Sequence, residues 1–144
     1  DYQLMTDPDL GIARAQTVDV PLVGSVACGG PILAEENIEG YIPVSTALAK
    51  SGSKYYLLHA RGDSMDKAGI KDGDIVLVRQ QSTANDGERV VALIDDEATI
   101  KEYRRSNGVV VLMPQSSNRK HKPIILTADF QVQGVVIAVI PKLK

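Results

Sequence analysis

A succession of short strand-like runs, each followed by turn residues, is the feature that most limits how this chain can fold. After Gly52, β-branched and apolar residues dominate runs at 55–61, 74–79, 88–95, 98–104, 109–113, 124–126 and 131–140. Asn107-Gly108 is a strong hairpin signal between two of these runs, and Asp95-Asp96-Glu97 marks another hairpin. Short strands joined by such turns predict a mainly β fold, a small barrel or sandwich of mostly antiparallel strands.

The part of the chain before this succession is less regular. Residues 1–17 are polar and lack periodicity, so they are predicted to form a linker with little core of its own. Val18–Val23 is β-like, and Pro21 within it is typical of an edge strand or of the start of a strand. Ser45 is placed to cap a single helical turn that ends at Gly52, so one or two short helical turns complete the predicted fold.

Composition limits the size and the setting of the fold. With 144 residues, 44% of them hydrophobic and 24% charged, the chain is predicted to be one soluble domain that buries its own core. A formal net charge of −2 provides no electrostatic footprint for nucleic acid, so no DNA-reading surface is expected in this chain. One cysteine excludes an internal disulfide and argues against a cysteine-based metal site. No apolar run reaches the roughly 18 residues of a membrane span, and a cytoplasmic location without membrane, metal or cofactor is predicted.

Small residues fill the stretch Val23–Pro31, and two consecutive glycines, Gly29-Gly30, come near its end. Glycine tolerates backbone angles that other residues avoid, so this segment can lie extended in a narrow groove and then bend sharply. The same composition is typical of an ordinary glycine-rich loop between strands. The residues alone leave both interpretations open.

Two polar residues, Ser64 and Lys101, are candidates for reactive side chains. Ser64 lies in the turn Gly62-Asp63-Ser64-Met65 directly after an apolar strand, although a serine there is more often only a turn former. Lys101 lies on a predicted strand, where period-two geometry gives it the same face as Thr99 and Tyr103. A lysine on a strand is usually solvated or guards a sheet edge. Pattern alone therefore assigns neither residue a function.

The two histidines do not complete a conventional catalytic triad. His59 lies on an apolar strand and is predicted to be packed or paired there. His121 lies in the polar loop 116–122, which is typical of solvated surface. Nothing in the spacing supports a Ser-His-Asp arrangement, although one that uses either histidine stays open.

The run Val135–Ile140 shows no polar alternation, which predicts that both of its faces are covered. Such a strand is either central in the core of this chain or covered on its second face by another subunit. The sequence does not separate these two alternatives.

Several motifs in a fixed order identify a family resemblance that no single residue could establish. The series comprises Val20–Pro31, Glu36–Tyr41, Arg61–Met65, Ala68–Asp74 and Asp95–Lys101. In this order the motifs resemble the LexA-type family of self-cleaving repressors, which includes phage repressors and UmuD polymerase subunits. The separation of 37 residues between the serine and the lysine is also the one the family shows. LexA proteins typically have Ala-Gly at the cleaved bond, whereas this chain has Cys28-Gly29, as UmuD-like proteins do.

The resemblance implies a serine peptidase that acts on its own chain through a serine–lysine dyad. Ser64 would be the nucleophile and Lys101 the general base, and the cleaved bond would be Cys28-Gly29. Backbone N–H groups of Ser64 and Asp63 would stabilise the oxyanion. Val26-Ala27 would belong to the substrate segment. No metal or cofactor is implied.

The chemistry of lysine adds a requirement to this assignment. Lysine is a base only when neutral, and because burial disfavours the ammonium, burial lowers its pKa from the ordinary value of about 10.4. Thr99 and Tyr103 supply little desolvation, so the hypothesis is that the strand Val26-Ala27-Cys28 docks over Lys101. Docking would cover the base and place the Cys28 carbonyl against Ser64. A tethered substrate also gains from high effective molarity.

The resemblance also implies a domain organisation and partners. Residues 1–19 would be a linker from a missing N-terminal DNA-binding domain, and residues 20–144 the peptidase and dimerisation domain. The partners would be a second copy in a homodimer, operator DNA through the missing domain, and a RecA filament on single-stranded DNA that stimulates cleavage in the DNA-damage (SOS) response. Two alternatives stay open: a UmuD-like polymerase accessory subunit with the same dyad, and a non-enzymatic dimerisation domain.

Overall fold

A computed structural model describes residues 16–26, 30–94, 97–126 and 131–141. The described residues form strands β1 to β9 and two single 3₁₀ turns. In chain order the strands are Thr17–Val23, Ile38–Ser45, Tyr55–His59, Ile75–Arg79, Arg89–Ile94, Glu97–Ser106, Val109–Met113, Ile124–Leu126 and Val132–Ile140. The 3₁₀ turns are Glu35–Asn37 and Asp66–Ala68. Within this part of the chain, no helix is long and apolar enough to cross a membrane.

All nine strands belong to one mixed sheet with the order β2-β1-β3-β4-β9-β5-β6-β7-β8. Every neighbouring pair is antiparallel except β1 and β3, which pair in parallel through Leu22 with Leu57 and Val23 with Leu58. The prediction of a mainly β fold with mostly antiparallel strands is therefore confirmed.

A local sequence signal accounts for one hairpin of the sheet, whereas the predicted turn residues Asp95 and Asp96 lie outside the described residues. The hairpin of β6 and β7 turns at Asn107 and Gly108, whose φ angles of 53° and 77° match the left-handed residues of a type I′ turn. The segment after Ser45 forms a hydrogen-bonded turn in which the Ser45 hydroxyl accepts from the Ala47 N–H at 3.1 Å. The single helical turns lie elsewhere, at Glu35–Asn37 and Asp66–Ala68.

The C-terminal strand β9 lies in the middle of the sheet, between β4 and β5. Its first half is buried at Val132, Gly134 and Val135, whereas its last residue, Ile140, is 42% exposed. The strand is thus central in this chain, as one of the two sequence interpretations predicts. Cover of its second half by another subunit stays a prediction.

Three clusters of buried side chains form the core of the described residues. The first cluster contains Met65, Ile70 and Ile100, together with residues of β3 and β4. Met65 directly follows Ser64, and Ile100 directly precedes Lys101. Burial of these neighbours fixes the segments that carry the serine and the lysine to one apolar core.

Candidate active site

Ser64 lies in a tight turn between the end of β3 and the 3₁₀ turn Asp66–Ala68. Gly62, two residues earlier, has a φ of +78°, a left-handed conformation that favours glycine. Its N–H donates to the Asp72 carboxylate at 2.7 Å. Met65, the next residue after the serine, is only 3% exposed. The turn is therefore held from both sides of Ser64.

A second segment, residues 114–121, packs along the serine turn and is called the docking loop below. The Gln115 N–H donates to the Ser64 carbonyl at 2.8 Å, and the Lys67 N–H donates to the Gln115 carbonyl at 2.8 Å. The Ser117 hydroxyl donates to the Asp66 carboxylate at 2.7 Å. Sequence reasoning missed these contacts, which join residues about 50 positions apart and leave no local pattern.

Lys101 lies on β6 and is buried, with 7% of its surface exposed. Its Nζ atom lies 3.0 Å from Ser64 Oγ and 2.6 Å from Thr99 Oγ1. It also lies 3.2 Å from the Ile100 carbonyl oxygen. All three oxygens are uncharged. Among the described residues, no carboxylate forms an ion pair with Lys101.

Burial lowers the pKa of the Lys101 amine below its ordinary value. The physical cause is desolvation, which penalises the ammonium form and leaves the neutral amine little affected. Predicted period-two geometry placed Thr99 beside Lys101, and Thr99 does contact the amine. The interpretation of an isolated strand lysine as a solvated residue is wrong here, because Lys101 is almost fully covered.

The lowered pKa of Lys101 has a consequence for stability that can be measured. An unfolded chain binds a proton on this lysine up to about pH 10.5, whereas the folded chain releases it at a lower pH. Between these two values the unfolded state carries more protons, so folding stability rises with pH. We expect the free energy of unfolding of Ser64→Ala minus that of Ser64→Ala/Lys101→Met to increase through the alkaline range.

Chemical denaturation of the two proteins at a series of pH values measures this difference. The serine substitution is present in both proteins and prevents self-cleavage from disturbing the equilibrium. A difference that stays constant or falls with rising pH would contradict the lowered pKa.

A cleft of about 500 Å³ opens beside the serine and the lysine. Its lining includes the chain after β1 at 24–26, His59 at the end of β3, and residues 97–99 at the start of β6. Thr99 lines both this cleft and the smaller pocket that contains Ser64. Val26, predicted to belong to the substrate segment, therefore lines this cleft. The predicted residues Ala27, Cys28 and Gly29 lie outside the described residues.

The two histidines occupy different environments. His59 is half-buried and lines the cleft. His121, interpreted from its polar loop as solvated surface, is instead paired: its Nε2 atom lies 2.5 Å from Asp63 Oδ1, and its side chain is 25% exposed. The surface interpretation of His121 was wrong because the docking loop folds back onto the serine turn. Neither histidine makes a hydrogen bond to Ser64 in the described part of the chain.

Asp63, the residue before the serine, has a pKa below its ordinary value. The hydrogen bond from His121 is the largest cause, and the hydrogen bond from Asn118 is the next. A bond to the backbone N–H of Asp63 itself also contributes. No group of three or more metal-ligating side chains is found within the described ranges.

The fold and this site fit a known class of protein. The chain belongs to the peptidase S24-like family, whose family model matches residues 21–137 and so includes Ser64 and Lys101.

Relatives similar to this chain carry the name LexA repressor. The one from Acetivibrio thermocellus is 44% identical over 128 residues, which are 89% of this chain and 59% of the relative. The one from Leptospira interrogans serogroup Icterohaemorrhagiae is 48% identical over 122 residues, 85% of this chain and 59% of the relative. The one from Geobacillus kaustophilus is 42% identical over 127 residues, 88% and 60% respectively. The chain thus spans about three fifths of the length of these relatives.

Proposed function

We propose that this chain is the self-cleaving domain of a LexA-like repressor, in which Ser64 attacks the Cys28-Gly29 bond and Lys101 acts as general base. The observation that carries the proposal is the 3.0 Å contact between Ser64 Oγ and the buried Lys101 amine. A serine hydroxyl needs an adjacent base to become a nucleophile. In the described residues the lysine amine is the basic group that makes a hydrogen bond with this hydroxyl, whereas His121 is paired with Asp63.

Burial favours the neutral amine that this role requires by lowering the pKa of Lys101, and the three oxygens around the nitrogen are compatible with that form. A neutral amine has two N–H donors and one lone pair, whereas an ammonium has three donors and no acceptor. The Thr99 hydroxyl and the Ile100 carbonyl can accept the two N–H groups. In the neutral form the lone pair would accept from the Ser64 hydroxyl across the 3.0 Å contact. Within the described residues, no carboxylate pairs with the amine to offset the loss of hydration that an ammonium would suffer there.

The reaction follows from this arrangement. Ser64 Oγ bonds to the Cys28 carbonyl carbon as its proton passes to Lys101, and the Ser64 N–H stabilises the resulting oxyanion. The C–N bond to Gly29 then breaks, and Lys101 returns the proton to the departing Gly29 amine. Water hydrolyses the acyl-serine with Lys101 again as the base. The cleft next to Thr99 has room for the substrate segment that Val26 begins.

The biological setting of the proposal comes from the relatives. Their name, LexA repressor, supports a repressor whose cleavage ends repression, with operator DNA bound by a domain that residues 1–19 would link to this one. Dimerisation through the present domain and stimulation by a RecA filament on single-stranded DNA belong to the same proposal. The net charge of −2 is consistent with operator contacts made by another part of the full-length protein.

Incubation of the purified chain at about pH 10 tests the proposal, because even a lysine of ordinary pKa is then substantially neutral. Cleavage after Cys28 yields fragments of 28 and 116 residues from the 144. Mass spectrometry identifies the new ends, and Ser64→Ala and Lys101→Ala are each expected to abolish both fragments. A wild-type chain that stays whole, with and without an activator, would leave only the non-enzymatic dimerisation domain.

A further inference from the structure

The carboxylate of Asp63 is held by two side chains of the docking loop. Its Oδ1 atom lies 2.5 Å from His121 Nε2, and its Oδ2 atom accepts from Asn118 Nδ2 at 3.2 Å. Asn118 is itself fixed within the loop, because its N–H donates to Ser116 Oγ at 2.9 Å and its Oδ1 accepts from the Lys120 N–H at 3.1 Å. The mechanism proposed above uses none of these side chains.

We propose that Asp63 is a positioning residue for Ser64, held in place by His121 and Asn118. The inference rests on the proposed function and adds residues to that site. Ser64 would depend on the docking loop in two ways: Gln115 holds its carbonyl, and His121 and Asn118 hold the residue before it.

The backbone around Ser64 explains why a tether at Asp63 matters. The Ser64 carbonyl, on its C-terminal side, is fixed by the Gln115 N–H. On its N-terminal side stands Gly62, whose N–H is held by the Asp72 carboxylate but which has no side chain to anchor the turn. The Asp63 carboxylate is the next anchor after Gly62. The peptide between Asp63 and Ser64 carries the Ser64 N–H, one of the two predicted oxyanion donors. The orientation of this peptide decides whether that N–H points at the substrate.

The contact persists at the alkaline pH where a lysine base is active. Asp63 needs only to be ionised, and its lowered pKa keeps it so at all pH values above its ordinary range near 3.8. An imidazole donates through Nε2–H to a carboxylate in its neutral form as well as in its charged form. The other charged residues in the ranges 61–72 and 114–122 are Arg61, Asp66, Lys67, Lys71, Asp72, Arg119, Lys120 and Lys122.

Substitutions at His121 separate positioning from general folding. His121→Phe keeps an aromatic ring of similar size and removes the donor, whereas His121→Gln keeps a donor amide. We expect His121→Phe and Asp63→Ala each to lower the first-order rate of self-cleavage about 10- to 100-fold, because a small misplacement of a reacting group has effects of this size. His121→Gln should recover most of the rate.

The double variant Asp63→Ala/His121→Phe should be little slower than either single variant. Lys122→Ala, an exposed change directly after this loop, is the control and should cleave at the wild-type rate.

A second measurement does not depend on cleavage. Hydrogen exchange of the amides at residues 62–66 is followed in the Ser64→Ala chain with and without His121→Phe. Faster exchange with His121→Phe supports the inference, even if the wild type never cleaves and the proposed function fails. Unchanged exchange overturns the inference, as does a wild-type cleavage rate in His121→Phe. A loss of rate that His121→Gln does not recover would also overturn it, because the role of His121 would then be packing alone.

Discussion

Raising the pH is expected to accelerate self-cleavage about tenfold per unit, until the rate levels off at a pH below 10.5, the ordinary pKa of a lysine. Each unit below the pKa of Lys101 reduces the neutral fraction of its amine tenfold, and only that fraction can take the proton of Ser64. Because burial lowers this pKa, the plateau should come earlier than an exposed lysine would allow. First-order rates of the purified chain between pH 6 and pH 11 give the profile directly.

Two substitutions decide whether Lys101 is the titrating group. Lys101→Arg keeps the positive charge at every accessible pH, because the guanidinium pKa exceeds 12. Lys101→Met keeps the length of the side chain without a base. Both are expected to reduce the rate about 10²- to 10⁴-fold, the usual contribution of general base catalysis, and to remove its rise with pH. A variant that still accelerates with pH would show that another group supplies the base.

Burial of Lys101 links this activity to the stability of the domain. The same desolvation that favours the neutral amine disfavours the folded state whenever the lysine is protonated, since no carboxylate among the described residues pairs with the ammonium. A better core residue at position 101 would stabilise the fold and remove the base. Functional sites are where such conflicts between stability and chemistry are expected.

Much of the fold could be predicted because its signals are local. Asn107-Gly108 requires two left-handed residues and gives the hairpin of β6 and β7 directly. Strand pairing across the sheet had no comparable signal. The parallel pairing of Leu22 and Val23 with Leu57 and Leu58 joins residues 35 positions apart in the sequence. Register over such distances depends on how all strands pack together, and no short segment encodes it.

The candidate site divides in the same way. Ser64, Lys101 and Thr99 could be named from motif order and from the period of a strand. In the structure, Ser64 Oγ and Thr99 Oγ1 both lie within 3.0 Å of the Lys101 amine. The pairing of Asp63 with His121 could not be predicted, because the sequence of a polar loop is the same kind of sequence whether the loop is solvated or folded back onto the domain. The pair can be recognised only when the serine turn and the docking loop are seen together on one core.

Substitution of Gly134 by alanine is expected to destabilise the domain by about 1–3 kcal/mol, the range for overpacking a well-packed interior. A Cβ atom there would lie 2.5 Å from Val78 Cγ1 and 2.6 Å from the Arg79 carbonyl oxygen. The valine side chain can adjust, but the carbonyl belongs to β4, which pairs with β9 next to this glycine. For a chain of this length, the loss corresponds to a fall of roughly 2–12 °C in melting temperature.

The reason is a close approach of two strands, which makes Gly40 an informative control. Gly40 also lies on a strand, yet a Cβ atom added there would meet nothing within 4 Å. Gly40→Ala should therefore change the free energy of unfolding by no more than about 0.5 kcal/mol. Thermal unfolding of both variants in the Ser64→Ala background compares them without self-cleavage. Equal stability of the two variants would contradict the close approach, whereas a loss confined to Gly134→Ala would support it. The strands concerned, β4 and β9, join the N-terminal half of the sheet to the half that carries Lys101.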